Sequence, residues 1–373
     1  MSEYQYYEFQ AIDRPLTPQE QQAVARLSSR VEPHPRRAVF TYNWSDFPGD
    51  SSEILARYYD AMLYMANWGT KRLMFRFPRS LIDLEGAQAY CRPPYVGEYV
   101  SFSTVGEYVV LRVEFHDEDG GEWIEAEGWL DSLIPLRDDI LRGDYRALYL
   151  AWLKTLEMED LLDSVTEPPV PPGLKELSPG LQAFVDLFEV DEELTEVAAE
   201  ASESRQAASD DWIRRAISQL SRDQCDTFLL RLARGESHLG VAFRKRLRKL
   251  AGTSWAEQVS QAPRRTVGYL LAETERRREL ERRRQAEEAE SRRIQELEAL
   301  AERETETWDQ VDGLIQRTKG QAYDEAVRLL LKLRELAIHR GRQLDFEGRL
   351  GEIRTQYERR SALIRRLNKA GLY

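Results

Sequence analysis

Arg72-Leu73-Met74-Phe75-Arg76-Phe77-Pro78 alternates basic and apolar side chains with the two-residue period of a strand, and Pro78 ends it. Leu148-Tyr149-Leu150-Ala151-Trp152-Leu153-Lys154-Thr155-Leu156 follows a different rule. There Leu148, Trp152, Leu153 and Leu156 share one stripe at helical spacing. Between these stretches the chain changes register: roughly the first 135 residues mix strands and helices, and almost everything after them reads as helix. The pattern predicts an α+β, multidomain chain. A small α/β sandwich comes first, and a mostly α-helical remainder carries a long charged helix and a C-terminal helical hairpin.

Working outward toward the N-terminus, residues 4–12 and 38–44 read as strands. Thr17-Pro18-Gln19-Glu20 is a capping box with proline at the first helical position. Asp50 and Glu53 open a helix expected to run through Trp68, because Ile54, Tyr58, Met62, Met65 and Trp68 keep helical spacing. A short helix over 81–90 precedes a hairpin, 99–104 with 108–116, around Val105-Gly106-Glu107, and residues 123–129 read as one more strand. The order β-α-β-α-β-α-β-β over residues 1–135 predicts a small sheet with helices on one face, a ferredoxin-like arrangement being one option.

Working the other way, residues 136–166 read as connecting helices. Glu167-Pro168-Pro169-Val170-Pro171-Pro172-Gly173 must be extended, and 167–177 is expected to be a stiff linker. A helical bundle is expected over 178–262, with Trp212, Ile213, Ile217, Leu220, Phe228, Leu229 and Leu232 as its apolar positions. Residues 263–318 follow as a long charged helix and short coiled coil, uninterrupted from about 266 to 317. Between Ala272 and Ile294 only Leu280, Ala286 and Ala289 are non-polar, so this piece relies on pairs such as Glu279 with Arg283. At ~1.5 Å per residue it would reach about 75 Å, a spacer arm. Ile294, Leu297, Ala301, Trp308, Val311 and Ile315 then restore a heptad seam, through which residues 294–315 could join two copies as a homo-oligomer or pack on the chain's own tail. The hairpin of 319–373 turns around Arg340-Gly341-Arg342.

The chain has 373 residues with 42% hydrophobic and 32% charged, enough apolar content for a core. Residues 1–200 hold 37 acidic and 17 basic side chains, and residues 201–373 hold 28 and 36. Opposite fields in the two halves favour a protein that docks or orients others. Its longest apolar runs are far short of the ~20 residues of a membrane span, and the start lacks the pattern of a signal peptide, so no membrane partner is expected. Two isolated cysteines, Cys91 and Cys225, fit a reducing cytoplasm. Four scattered histidines and no C-x-x-C pair predict no metal site, and no cofactor is expected. Phosphate-loop, dinucleotide, zincin and nucleophile-elbow motifs do not occur.

Two constellations remain as candidate sites. Arg244-Lys245-Arg246-Leu247-Arg248-Lys249 with Arg264-Arg265 could neutralise phosphates, making nucleic acid one candidate partner; the acidic stretch 186–200 could neutralise the same charges internally. Trp44, Asp46, Trp68, Arg72, Arg76 and Arg79 combine aromatic anchors with an arginine rim, the residue types that dominate protein interfaces. Asp46, Asp60, Arg72 and Arg76 would serve an enzyme if one pocket gathered them.

Met1-Ser2-Glu3-Tyr4-Gln5-Tyr6-Tyr7-Glu8-Phe9, Ala11-Ile12-Asp13-Arg14-Pro15-Leu16-Thr17, Ala66-Asn67-Trp68-Gly69-Thr70-Lys71-Arg72-Leu73-Met74 and Ser132-Leu133-Ile134-Pro135-Leu136-Arg137 together resemble a family of uncharacterised bacterial proteins. The tail from Tyr323-Asp324-Glu325-Ala326 to Leu363-Ile364-Arg365-Arg366-Leu367 is similar to the helical ends of some bacterial proteins with SWIM-type zinc fingers; the cysteine and histidine set of that finger is absent here. The resemblance supplies no catalytic residue. The sequence therefore favours a non-enzymatic adaptor or scaffold of a bacterial cytoplasmic complex, binding a protein partner through the α/β domain, the helical tail or both, ahead of a nucleic-acid-associated protein or an enzyme.

Overall fold

A computed structural model describes residues 4–28, 31, 33–43, 47–91, 99–117, 126–158, 162–204, 210–251 and 264–373. The chain forms two compact units, Met1–Arg277 and Arg278–Tyr373.

Unit 1 is built on a six-stranded sheet whose strands are β1 (Gln5–Gln10), β2 (Arg37–Tyr42), β3 (Ala61–Ala66), β4 (Thr70–Pro78), β5 (Val100–Val105) and β6 (Tyr108–His116). Their spatial order is β2-β1-β3-β4-β6-β5, and every neighbouring pair is antiparallel. That order departs from the ferredoxin-like option: a split βαβ unit keeps its two helix-linked strands parallel with another strand between them, whereas β1 and β2, joined through α1, lie side by side and antiparallel. Both faces are covered. One packs Tyr6, Leu63, Phe75 and Leu111 beneath Leu133, Leu136, Leu148 and Trp152, from helices α4 (Trp129–Leu141) and α5 (Arg146–Met158). The other packs Phe9, Phe40, Met62 and Met74 with Val24 of α1 (Pro18–Ala25) and Ile54 and Leu55 of α2 (Ser51–Tyr58).

Burial on both faces explains the main difference from the sequence reading. The helix expected through Trp68 stops at Tyr58, and Ala61–Ala66 is a strand with every residue buried. A strand covered on both sides shows no alternation, and its continuous apolar run also satisfies a helical template. Trp68 instead lies in the turn to β4 and is 37% exposed. At the next position Gly69 takes φ +95°, and a Cβ there would stand 2.0 Å from the Asp117 carbonyl oxygen. Gly69→Ala is therefore expected to cost about 2 kcal/mol or more, read as a lower urea midpoint with unchanged slope.

The described part of unit 1 carries further helices: α3 (Leu84–Gln88), α6 (Pro179–Phe188), α7 (Glu192–Glu200), α8 (Asp210–Ser218), α9 (Arg222–Ala233) and α10 (Leu239–Ala251). The proline segment belongs to this body, with Pro168, Pro169, Pro171 and Leu174 buried. Leu174, Leu181, Phe184 and Phe188 extend the core beneath α4 and α5.

The stretch read as one helix over 266–317 consists of α11 (Val267–Glu302) and α12 (Glu304–Gln316), with Arg303 between them outside helical geometry. Residues 281–293 of α11 are mostly charged and exposed, and Arg283 bonds Glu279 at 2.8 Å. In unit 2, Trp308, Val311 and Ile315 of α12 pack on Tyr323, Ala326 and Leu330 of α13 (Gly320–His339). The expected hairpin partner is divided into α14 (Gln343–Gln356) and α15 (Ser361–Lys369). Phe346, Leu350 and Ile353 from the former and Leu363 and Leu367 from the latter complete that core. Arg360, at the break, donates to the Ile315 carbonyl at 2.6 Å and so satisfies the open end of α12.

Candidate functional site

Five charged or polar groups of unit 1 meet beside β4. Asp60, 1% exposed, accepts at Oδ2 from the backbone N–H groups of Ile12 (2.7 Å) and Asp13 (2.9 Å). Its Oδ1 accepts from Arg76 Nη2 at 2.6 Å. Arg137 of α4, equally buried, grips both Asp13 oxygens at 2.8 and 2.9 Å and donates from Nε to the Arg76 carbonyl at 2.8 Å. His238 Nε2 lies 2.8 Å from Asp13 Oδ1. Burial raises the Asp13 carboxyl, but the His238 ring and the Arg137 guanidinium outweigh it and hold the group well below the usual carboxylate range. Each carboxylate oxygen faces a donor, so the network ties β4, α4 and the α9–α10 connection together rather than offering a proton to a substrate.

A second buried cluster fixes the start of α11. Glu167, 2% exposed, accepts from Tyr149 Oη (2.9 Å), the Arg265 backbone N–H (3.0 Å), Arg265 Nε (2.8 Å) and Arg265 Nη2 (2.9 Å). The same guanidinium donates to the carbonyls of Val197 (2.8 Å) and Ala198 (3.0 Å) in the last turn of α7, where a cation also meets the helix dipole favourably. Burial, then the Glu167 carboxylate, keep the Tyr149 phenol well above its ordinary range.

These clusters account for several residues singled out from sequence. Asp60 and Arg76 are brought together, whereas Arg72 is held elsewhere by Glu114 at 2.8 and 2.9 Å and lies over the Tyr64 ring. Arg79 is exposed, and Trp44 and Asp46 fall outside the described residues. Of the basic residues, Arg265 sits in the Glu167 clamp. On α10, Lys245 donates to the carbonyls of Ser80 (2.7 Å) and Ile82 (3.2 Å), and Arg248 to that of Arg142 (2.7 Å). Arg244, Lys249 and Arg264 are exposed and Arg246 is half-buried. The basic helix thus packs on the segments around Ser80 and Arg142. Among the described residues the acidic helix α7 meets Arg265 and Arg277, the latter paired with Glu200.

The sequence reading assigned Leu229 and Leu232 to a bundle core. They are 59% and 64% exposed, Leu230 is 52% exposed, and no residue of α9 is buried. Leu229 and Leu232 stand one turn apart with Cys225 on the same face, and Ile217 of neighbouring α8 is 40% exposed. One edge of α9 is packed where Phe228 meets Phe243 of α10 edge to face at 4.9 Å. Helical periodicity identifies an apolar stripe but not what covers it, so sequence offered no signal separating this face from a core face.

The two thiols differ in a testable way. Burial pushes the Cys91 thiol up to about 12, so at pH 8 about one molecule in 10⁴ carries the reactive thiolate there. Cys225 is half-buried on the open face of α9. Titration with a chromogenic disulfide at pH 8 is expected to release one equivalent from the folded protein, lost in Cys225→Ser, and a second only after denaturation.

Among the described residues no group of three or more histidine, cysteine, aspartate or glutamate side chains is placed to hold a metal ion, and no helix is long and apolar enough to cross a membrane. No known protein family, no curated protein and no solved structure matches this chain.

Proposed function

We propose that this protein is a docking adaptor whose helix α9 receives an acidic, amphipathic helical segment of a protein partner. The observation that carries the reading is the exposure of Leu229, Leu230 and Leu232 on a helix with no buried residue. A soluble surface keeps such apolar groups together chiefly where something binds. The chemistry of the partner follows from charge: residues 210–251 contain ten basic and five acidic side chains, and Arg234 borders the leucines in the open. An acidic helix with an apolar stripe complements both features. Burying three leucines yields about 5 kcal/mol gross, most of it offset by the cost of association, so the contact is transient rather than obligate. The unpaired thiols favour a reducing compartment, the bacterial cytoplasm, as its place of work.

A photo-crosslinking residue at position 232, introduced into the full chain in its host, tests this. The expected product joins α9 to an acidic amphipathic segment of another protein, and Leu229→Asp abolishes it. Crosslinks only to a second copy of this chain, or products unaffected by Leu229→Asp, would overturn the reading.

A further inference from the structure

The basic helix α10 and the segments it packs on enclose a cleft of about 240 Å³, lined by Leu81, Ile82, Leu84, Leu141 and Val241 and by four cations, Arg142, Arg244, Lys245 and Arg248. One carboxylate, Asp83, lines it too. Among the described residues the four cations face that single carboxylate, which attracts Lys245 and Arg248. Lys245 and Arg248 donate to main-chain carbonyls of Ser80, Ile82 and Arg142, which supply hydrogen-bond acceptors but no net negative charge. Arg142 reaches Asp138 only at 3.5 Å, and Arg244 has neither a carboxylate nor a hydrogen-bond partner among the described residues. Arg244 and Arg248 are one helical turn apart on α10 and so present their guanidiniums to the same side.

The cleft is also shaped to leave one of these groups in place. Gly143 has φ +83°, and a Cβ there would lie 2.8 Å from Arg248 Nη1. The absence of a side chain lets the guanidinium lie against the turn that follows α4, with its Nη2 on the Arg142 carbonyl. Burial lowers both Lys245 and Arg248 from their ordinary ranges; Arg244 adds to the lowering at Arg248, and Asp83 opposes it at both.

We propose that this cleft binds a small phosphomonoester, its phosphoryl group held by Arg244, Lys245 and Arg248 and its organic part resting on Leu81, Ile82 and Val241. Guanidinium forks match phosphoryl oxygens in charge and geometry. The volume falls just below the ~300–1,000 Å³ of sites for drug-sized ligands, which favours a compact ligand. The site does not depend on the α9 surface or on its partner.

The probes are inorganic phosphate, a nucleoside monophosphate and a single-stranded oligonucleotide, each titrated into the full chain at constant ionic strength with chloride as control. The nucleoside monophosphate is expected to bind at least tenfold more tightly than inorganic phosphate, and Arg244→Glu to weaken it about tenfold or more while thermal unfolding of the free protein stays unchanged. Gly143→Ala, which displaces Arg248 without removing a charge, is expected to weaken it as well. Equal binding by wild type and Arg244→Glu, or a response matched by chloride, would overturn the proposal. Tighter binding of the oligonucleotide per phosphate, with a steep salt dependence removed by Arg244→Glu, would also overturn it by assigning the cations to a nucleic-acid backbone.

Discussion

Replacing Arg137 by leucine is expected to destabilise unit 1 by about 3–5 kcal/mol at pH 7, the range for removing one partner of a buried ion pair. The chain cannot absorb the change locally. Asp13 loses both guanidinium bonds, and the Arg76 carbonyl loses the Nε donor at 2.8 Å. Asp60 loses an ion pair to Arg137 at 3.6 Å but keeps Arg76 and two backbone donors, so the penalty falls mainly on Asp13, whose remaining side-chain partner among the described residues is His238. The pH dependence separates this electrostatic cost from lost packing. In the wild type the Asp13 carboxyl is depressed in the folded state, so its contribution is fully present above the unfolded carboxylate value of roughly 4 and disappears as pH falls toward the folded value. Urea titrations from pH 7 to pH 2 should therefore show the gap between the two proteins narrowing progressively below about pH 4. A constant gap would mean that Arg137 acts through its aliphatic stem alone. Asp13→Asn combined with Arg137→Leu should cost less than the two single changes added together, because the second change removes a charge that the first left unpaired.

How far sequence could reach is clear from particular residues. Thr17 and Glu20 form the reciprocal capping box expected of them, and the hairpin closes at Gly106 as the turn residues required, because both rest on local chemistry. The strand of β3 was hidden because alternation vanishes when both faces are covered, and the second layer of helices that covers it cannot be seen from β3 itself. The proline run announced extended backbone but not its burial, since proline restricts dihedral angles whether or not other elements pack over it. Charge was the most misleading cue. Arg265 stands beside Arg264 in the sequence and looked like half of a basic patch, yet the two diverge: one is exposed, and the other enters the Glu167 clamp. Nothing local distinguishes them, because the acceptors that hold Arg265 come from residues 167, 197 and 198. The α10 cluster was visible as charge, but its cleft arises from contacts with Ser80 and Arg142, more than 100 positions away.

Glu167→Ala is the second change expected to have a large effect, again about 3–5 kcal/mol, and its consequences should be local before they are global. The carboxylate accepts four hydrogen bonds, from Tyr149 and three Arg265 groups, and is the only negative charge holding that guanidinium among its described hydrogen-bond partners. Without it Arg265 remains half-buried against two carbonyls, and the Tyr149 phenol, deep in the core, loses its acceptor. Backbone bonds persist on either side: Glu167 N–H donates to the Arg265 carbonyl at 2.9 Å, and Val267 N–H to the Val165 carbonyl at 2.8 Å. Those bonds hold a short pairing of two extended segments, which Arg265 ties to the last turn of α7 by hydrogen bonds. Amide exchange at Val267 and Gly268, the first residues of α11, should accelerate well before exchange in β3 or β4. Glu167→Gln keeps the shape and one acceptor oxygen but not the charge, so it should recover part of the stability and less of the exchange protection. If both variants exchange uniformly across unit 1, with no early opening at 267–268, the clamp is simply part of the global core and has no separate role in seating α11.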